Sequence, residues 1–96
     1  MLQELGRLLD QNILTFDAAN EIAEDMSLDL ASQRNSGEIS NDAFLEAGVI
    51  QGGISILANM LATGVDHSEI RIHFNQIRDR AATICINFPE LTVALA

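Results

Sequence analysis

Apolar residues recur along this chain at spacings of three and four and never alternate strictly, so the pattern predicts helices and no sheet. The pattern is clearest towards the C-terminus. Ile70, Phe74, Ile77, Ala81, Ile84 and Phe88 trace one stripe, Cys85 sits at its edge, and Ile72 and Ile86 fall on the opposite side. An earlier segment carries Ala19, Ile22, Ala23, Met26 and Leu30 on one face, an ordinary core-facing set. The stretch from Ala43 to Ala62 is apolar nearly all round, as expected of a helix buried on most sides. It is long enough to span a bilayer, but Glu46, Gln51, Ser55 and Asn59 interrupt it, which favours a central helix of a bundle over a membrane span.

Three short joints separate the periodic segments, and they share one punctuation. Gly37 and Gly64 can each take the left-handed backbone that ends a helix, and Asn12 stands in for glycine at the first joint. Thr15, Ser40 and Asp66 follow as N-caps. Ile39 can staple onto Phe44 and Val65 onto Ile70, and Glu69 is placed to complete a capping box with Asp66. These signals bound helices at about 2–11, 16–34, 41–63 and 67–87, with a short turn over 89–96 after Pro89. The expected fold is all-α: one domain over 1–96, a small antiparallel bundle of about four helices with helix 3 central.

Helix 3 also carries a stripe of small and polar residues, Gly48, Gly52, Ser55 and Asn59, with Gly53 beside it. Each glycine inside a helix costs about 1 kcal/mol relative to alanine, and the usual return is close approach of another backbone. Three readings fit. The stripe forms a tight crossing within the chain, a seam on which a second copy packs, or a glycine-floored cleft in which Gln51, Ser55 and Asn59 bind a ligand.

Helix 2 carries the acid. Asp17, Glu21, Asp25 and Asp29 follow one another at four-residue spacing with Glu24 beside them, and like charges so placed repel by a few tenths (~0.2–0.5) of a kcal/mol per pair. Asp17 is favoured by the helix dipole; the others are not. Leu28 falls within the stripe, as an apolar anchor inside a charged rim would. The plain reading is a solvated face that keeps the protein in solution; the functional one is a docking surface for a basic partner.

Composition narrows the functions. The net charge is −9, and the five basic residues are all arginine. Residues 1–48 hold ten acids and two arginines, net −8; residues 49–96 hold four acids and three arginines, net −1. Such a field repels phosphate backbones and anionic lipid, and with four Phe and no Trp or Tyr there is no stacking platform, so neither direct nucleic-acid binding nor a membrane role is expected. Cys85 is the only cysteine, and Glu4 and Asp10 occupy the N-terminal segment where a signal peptide would be basic and then apolar. Both point to the cytoplasm.

Catalytic chemistry has little to stand on. Bundle metal sites use paired Glu-x-x-His motifs, and none is present; Glu69 and His73, one turn apart, could hold a metal only with Asp66 or His67, and His73 reads as a surface neighbour. Cys85 lies about three turns beyond His73, out of reach for a nucleophile–base pair. Gly52-Gly53 lies mid-helix, unlike a phosphate loop. The expectation is therefore a protein that is not an enzyme and uses no cofactor or metal.

Three functions remain. The first is a homo-oligomeric, protein-binding inhibitor, regulator or adaptor, of the anti-defence or immunity type. It would dock a basic protein surface on Glu21, Glu24, Asp25, Leu28 and Asp29 and self-associate through Gly48, Gly52, Ser55 and Asn59. The second is an oligomeric binder or sponge for a small anionic ligand such as a nucleotide or cyclic nucleotide, gripped by Arg71 and Arg78. Those residues lie two turns apart on one flank of helix 4, and pairing with helix 2 acids is the plainer role for both. The third is a structural subunit of a larger assembly.

Overall fold

The computed structural model describes all 96 residues, in the order α1 (Leu2–Asp10), α2 (Phe16–Ser36), α3 (Asn41–Ala62), α4 (His67–Asn87), a 3-10 turn (Pro89–Leu91) and α5 (Thr92–Leu95). The chain is all-helical. The segment after Pro89, expected as a simple turn, adds the short α5.

One terminating device ends α1, α2 and α3. A residue with positive φ follows each helix: Asn12 at 57°, Gly37 at 81° and Gly64 at 73°. At each joint the next amide reaches back to the carbonyl five residues earlier: Ile13 to Leu8 at 3.0 Å, Glu38 to Gln33 at 2.9 Å and Val65 to Met60 at 3.0 Å. The positive-φ residue itself donates to the carbonyl three back, so each joint is a Schellman motif that satisfies otherwise orphaned carbonyls. Asn12 is the strained member, because a Cβ in the left-handed region costs energy. Asn12→Gly is expected to raise the thermal midpoint by a few degrees and Gly64→Ala to lower it, each by about 1 kcal/mol of stability. Differential scanning calorimetry reads both signs.

The caps follow. Thr15 Oγ1 accepts from the Ala18 amide at 3.1 Å and Ser40 Oγ from the Ala43 amide at 3.0 Å. At α4 the expected capping box does not form. The Asp66 carboxylate instead accepts from the amide and the hydroxyl of Ser68, because Ser68 offers two donors one residue nearer than Glu69. The Ser68 hydroxyl, then its amide, and then the neighbouring His67 hold the Asp66 carboxyl below its ordinary range.

The core is built where the stripes meet. Twenty-one residues are buried and all are apolar, so every charge in the chain lies at the surface. Leu2, Leu5 and Leu9 bury one side of α1, and Ala19, Ala23, Met26 and Leu30 one side of α2. Ala43, Ala47, Ile50, Ile54, Leu57 and Ala58 face inward from α3; Ile70, Phe74, Ile77, Ala81 and Ile84 do so from α4. α3 packs on α2 along most of its length and on α4, which in turn meets α1 and the terminal turn. Leu91 and Leu95 close the base of the core, and the Gln3 amide donates to the Ala96 carbonyl at 2.8 Å, tying the two ends together.

α3 is less enclosed than its composition implies. It is long and apolar enough to cross a membrane by length and composition, yet only 28% of its most apolar window is buried. Its inward stripe fills the bundle, while Leu45, Val49 and Ile56 stand exposed on the outer side. The expectation of a helix buried on most sides is corrected here: neighbours cover one side only.

Candidate functional site

Three surfaces bear on function, and each begins with a stripe in the sequence.

The first is the outer face of α3. Leu45, Val49, Gly52 and Ile56 follow one another at spacings of four, three and four, which places them on one line down the helix. Gly48 and Asn59 flank that line and are exposed; Gln51 and Ser55 are half-buried. A Cβ built at Gly48 or Gly52 would meet nothing within 4 Å, so neither glycine serves a crossing inside the chain. The intrachain reading of the stripe is therefore corrected. The crossing belongs to Gly53, where a Cβ would lie 3.1 Å from Ile77 Cγ1 of α4. His73 seals the same joint, its Nε2–H donating to the Gly53 carbonyl at 3.0 Å. His73 is thus half-buried between helices and faces α3, away from any metal partnership with Glu69. An apolar groove of about 430 Å³ runs beside this joint, between Val49, Gly52 and Ile56 of α3 and Gln76, Ile77 and Arg80 of α4.

The second surface is the acidic stripe of α2. Glu21, Glu24, Asp25 and Asp29 are all exposed, and Leu28 in their midst is 70% exposed. None of these carboxylates has a cationic partner; the two ion pairs of the molecule are Arg7–Glu4 and Arg71–Asp10. Asn20 alone answers the stripe, donating to Glu24 at 3.2 Å. Leu28 and Glu24 share a shallow depression with Ser27 and with Gln51 of α3, so the acidic stripe borders the polar edge of the α3 face.

The third lies between α1 and α4. Arg71 and Arg78 reach one cavity of about 520 Å³ together with Arg7 of α1; Gly6 and Phe74 form its floor and Asp10 stands in its wall. A Cβ at Gly6 would lie 2.9 Å from Phe74 Cζ, so only glycine lets α1 settle this close to α4. The expected pairing of Arg71 and Arg78 with helix 2 acids is corrected. Arg71 pairs with Asp10 at 2.9 Å, because α1 and not α2 packs on that flank of α4. Arg78 has no carboxylate partner and stands 5.9 Å from the Phe74 ring centroid. Arg7 pairs with Glu4, whose carboxyl is held below its ordinary range chiefly by the hydrogen bond from Arg7. Sequence reasoning missed Gly6, Arg7 and Asp10; the signal available was an arginine and a helix-interior glycine adjacent in an otherwise acidic, leucine-rich segment.

Cys85 is half-buried with a free thiol, and no three His, Cys, Asp or Glu residues converge as a metal would need. An exposed apolar face, an acidic stripe and an arginine-lined cavity thus stand on one all-helical scaffold. No protein-family model, curated protein or solved structure matches it, so its function is read from these surfaces alone.

Proposed function

We propose that this chain is a non-enzymatic, acidic helical binding protein of the cytoplasm. It self-associates through the outer face of α3 and presents the acidic stripe of α2 to a basic protein partner, as an inhibitor, regulator or adaptor. The antiparallel bundle, in which α3 is central in the sense that it packs on both α2 and α4, is the scaffold that sets these two faces side by side.

The observation that carries this reading is the α3 face. Two interior glycines lower the stability of a helix and nothing within the chain fills the space above them. Around them stand Leu45, Val49 and Ile56, exposed side chains that gain most by losing water. Two such faces crossing at Gly52 on a two-fold axis set Ile56 of each copy over the Gly48 notch of the other, a knob in a hole. Charge permits it, since no charged residue lies between Glu46 and Asp66. Two chains of net −9 can therefore meet along α3 without opposing like charges at the centre of the seam.

With two α3 faces joined, each acidic stripe remains outside the seam. A basic partner docking there would relieve the repulsion within α2, and Leu28 would anchor it inside the charged rim. Reversing Glu21, Asp25 and Asp29 to lysine is expected to leave helicity and self-association unchanged while abolishing capture of the partner at low salt. Circular dichroism and pull-down of one defined partner, against the unmodified chain, read the two effects separately. Capture that survives the triple reversal removes the acidic face from the account.

A further inference from the structure

The α1–α4 cavity offers a chemistry that neither protein-binding face uses. In a chain of net −9, three of the five arginines line one concavity; Asp10 in its wall pairs with Arg71, Glu4 pairs with Arg7, and Arg78 alone has no carboxylate. Its volume of about 520 Å³ falls inside the range of roughly 300–1,000 Å³ typical of small-molecule pockets. Its apolar lining is Leu2 and Phe74, both largely buried, with Gly6 beside the Phe74 ring. Arg71 and Arg78 stand two turns apart on α4, about 10 Å along its axis, a spacing that suits an anion with more than one charged group.

We infer that this cavity binds an organic phosphate carrying at least two negative charges on a body with an apolar face, the chemical class of a nucleoside diphosphate. The guanidinium fork matches a phosphate with two parallel N–H donors, and Arg78 is free to supply it, having no carboxylate to leave. Arg71 is held by Asp10 in an exposed pair, which contributes little stability and yields readily to a stronger anion. Arg7 closes the opposite side from α1. The apolar body of the ligand would lie on the floor between the two helices. Gly6 keeps that floor low, since a side chain there would displace the Phe74 ring.

Asp10 makes the inference specific. It competes with the ligand for Arg71, so its removal is expected to tighten binding, whereas a residue needed only for the fold would, if lost, weaken everything together. The site also lies on the opposite flank of α4 from the α3 groove, whose α4 residues are Gln76, Ile77 and Arg80. Its success or failure is therefore separable from that of the self-association reading by the solution mass of the same variants.

The test is titration calorimetry of the full chain at low ionic strength with ADP, and with inorganic pyrophosphate as the bare diphosphate head. ADP should bind at micromolar to sub-millimolar concentration and pyrophosphate at least fivefold more weakly. Arg78→Gln should weaken ADP tenfold or more, and Asp10→Asn should tighten it two- to fivefold, with the circular dichroism of both variants unchanged. Absence of ADP binding at millimolar concentration overturns the inference. So does an Arg78→Gln affinity within twofold of the parent, or an Asp10→Asn variant that binds less well. Pyrophosphate binding as tightly as ADP overturns the apolar-body assignment.

Discussion

Leu57→Ala is expected to lower the free energy of unfolding by about 3–5 kcal/mol, while Ile56→Ala, one residue earlier, changes it by about 0.5 kcal/mol or less in the dilute monomer. Both residues are large and aliphatic, and both lie in the same apolar run of α3. Leu57 has no exposure and is among the largest fully buried side chains, wedged where α3 meets the rest of the bundle. Truncating it removes apolar surface from the core and leaves a cavity that close-packed neighbours cannot collapse to fill. Ile56 is 55% exposed and points out of the bundle, so in the monomer its γ and δ carbons already face water. Chemical denaturation at nanomolar protein concentration, followed by circular dichroism, measures the pair. Equal destabilisation by the two would mean that α3 is enclosed on both sides.

The second large effect carries two opposite signs. Gly48→Ala combined with Gly52→Ala is expected to raise the stability of the monomer by about 1–2 kcal/mol. Each alanine removes the backbone entropy cost of a helix-interior glycine, and each added Cβ enters open space. The methyl group added at position 48 fills the notch into which a second copy would set Ile56 and that at position 52 holds the crossing apart, so self-association should weaken by tenfold or more. Gly53→Ala is the internal control. Its Cβ meets Ile77 at 3.1 Å, so it should not stabilise the fold despite the same gain in helix propensity. A fold stabilised together with undiminished association would place the seam elsewhere.

How much of this was legible in the sequence depends on how far each interaction reaches along the chain. Helix starts at 2, 16, 41 and 67 coincide with those observed, and the ends differ by two residues at most. Thr15, Ser40, Asn12, Gly37 and Gly64 act within four or five residues of themselves, so their signals survive without knowledge of the fold. Two local readings failed: at Asp66, Ser68 outcompetes Glu69 at shorter range, and after Pro89 the expected turn continues into α5.

The side of α3 left uncovered was not legible in that way. Gly48, Gly52 and Gly53 look alike in sequence, yet Gly53 alone meets α4, because the approach of Ile77 and His73 is set by the α3–α4 crossing. The partner of Arg71 is likewise decided by α1 folding across α4, a contact between residues far apart in the chain. The acidic stripe of α2 was plain from its four-residue spacing, but only the fold places Leu28 beside Gln51 and so joins that stripe to the edge of the α3 face.

Solution mass by size exclusion with light scattering reads the pairing of two copies through α3. The unmodified chain and Ile56→Glu are compared at micromolar concentration, at low and at high salt. The expected result is a dimer, or a multiple of it, that persists or strengthens in high salt because the seam is apolar, and an Ile56→Glu variant that runs near the 10.4 kDa monomer with unchanged helicity. A monomeric parent at every salt concentration, or an Ile56→Glu variant as large as its parent, would contradict it.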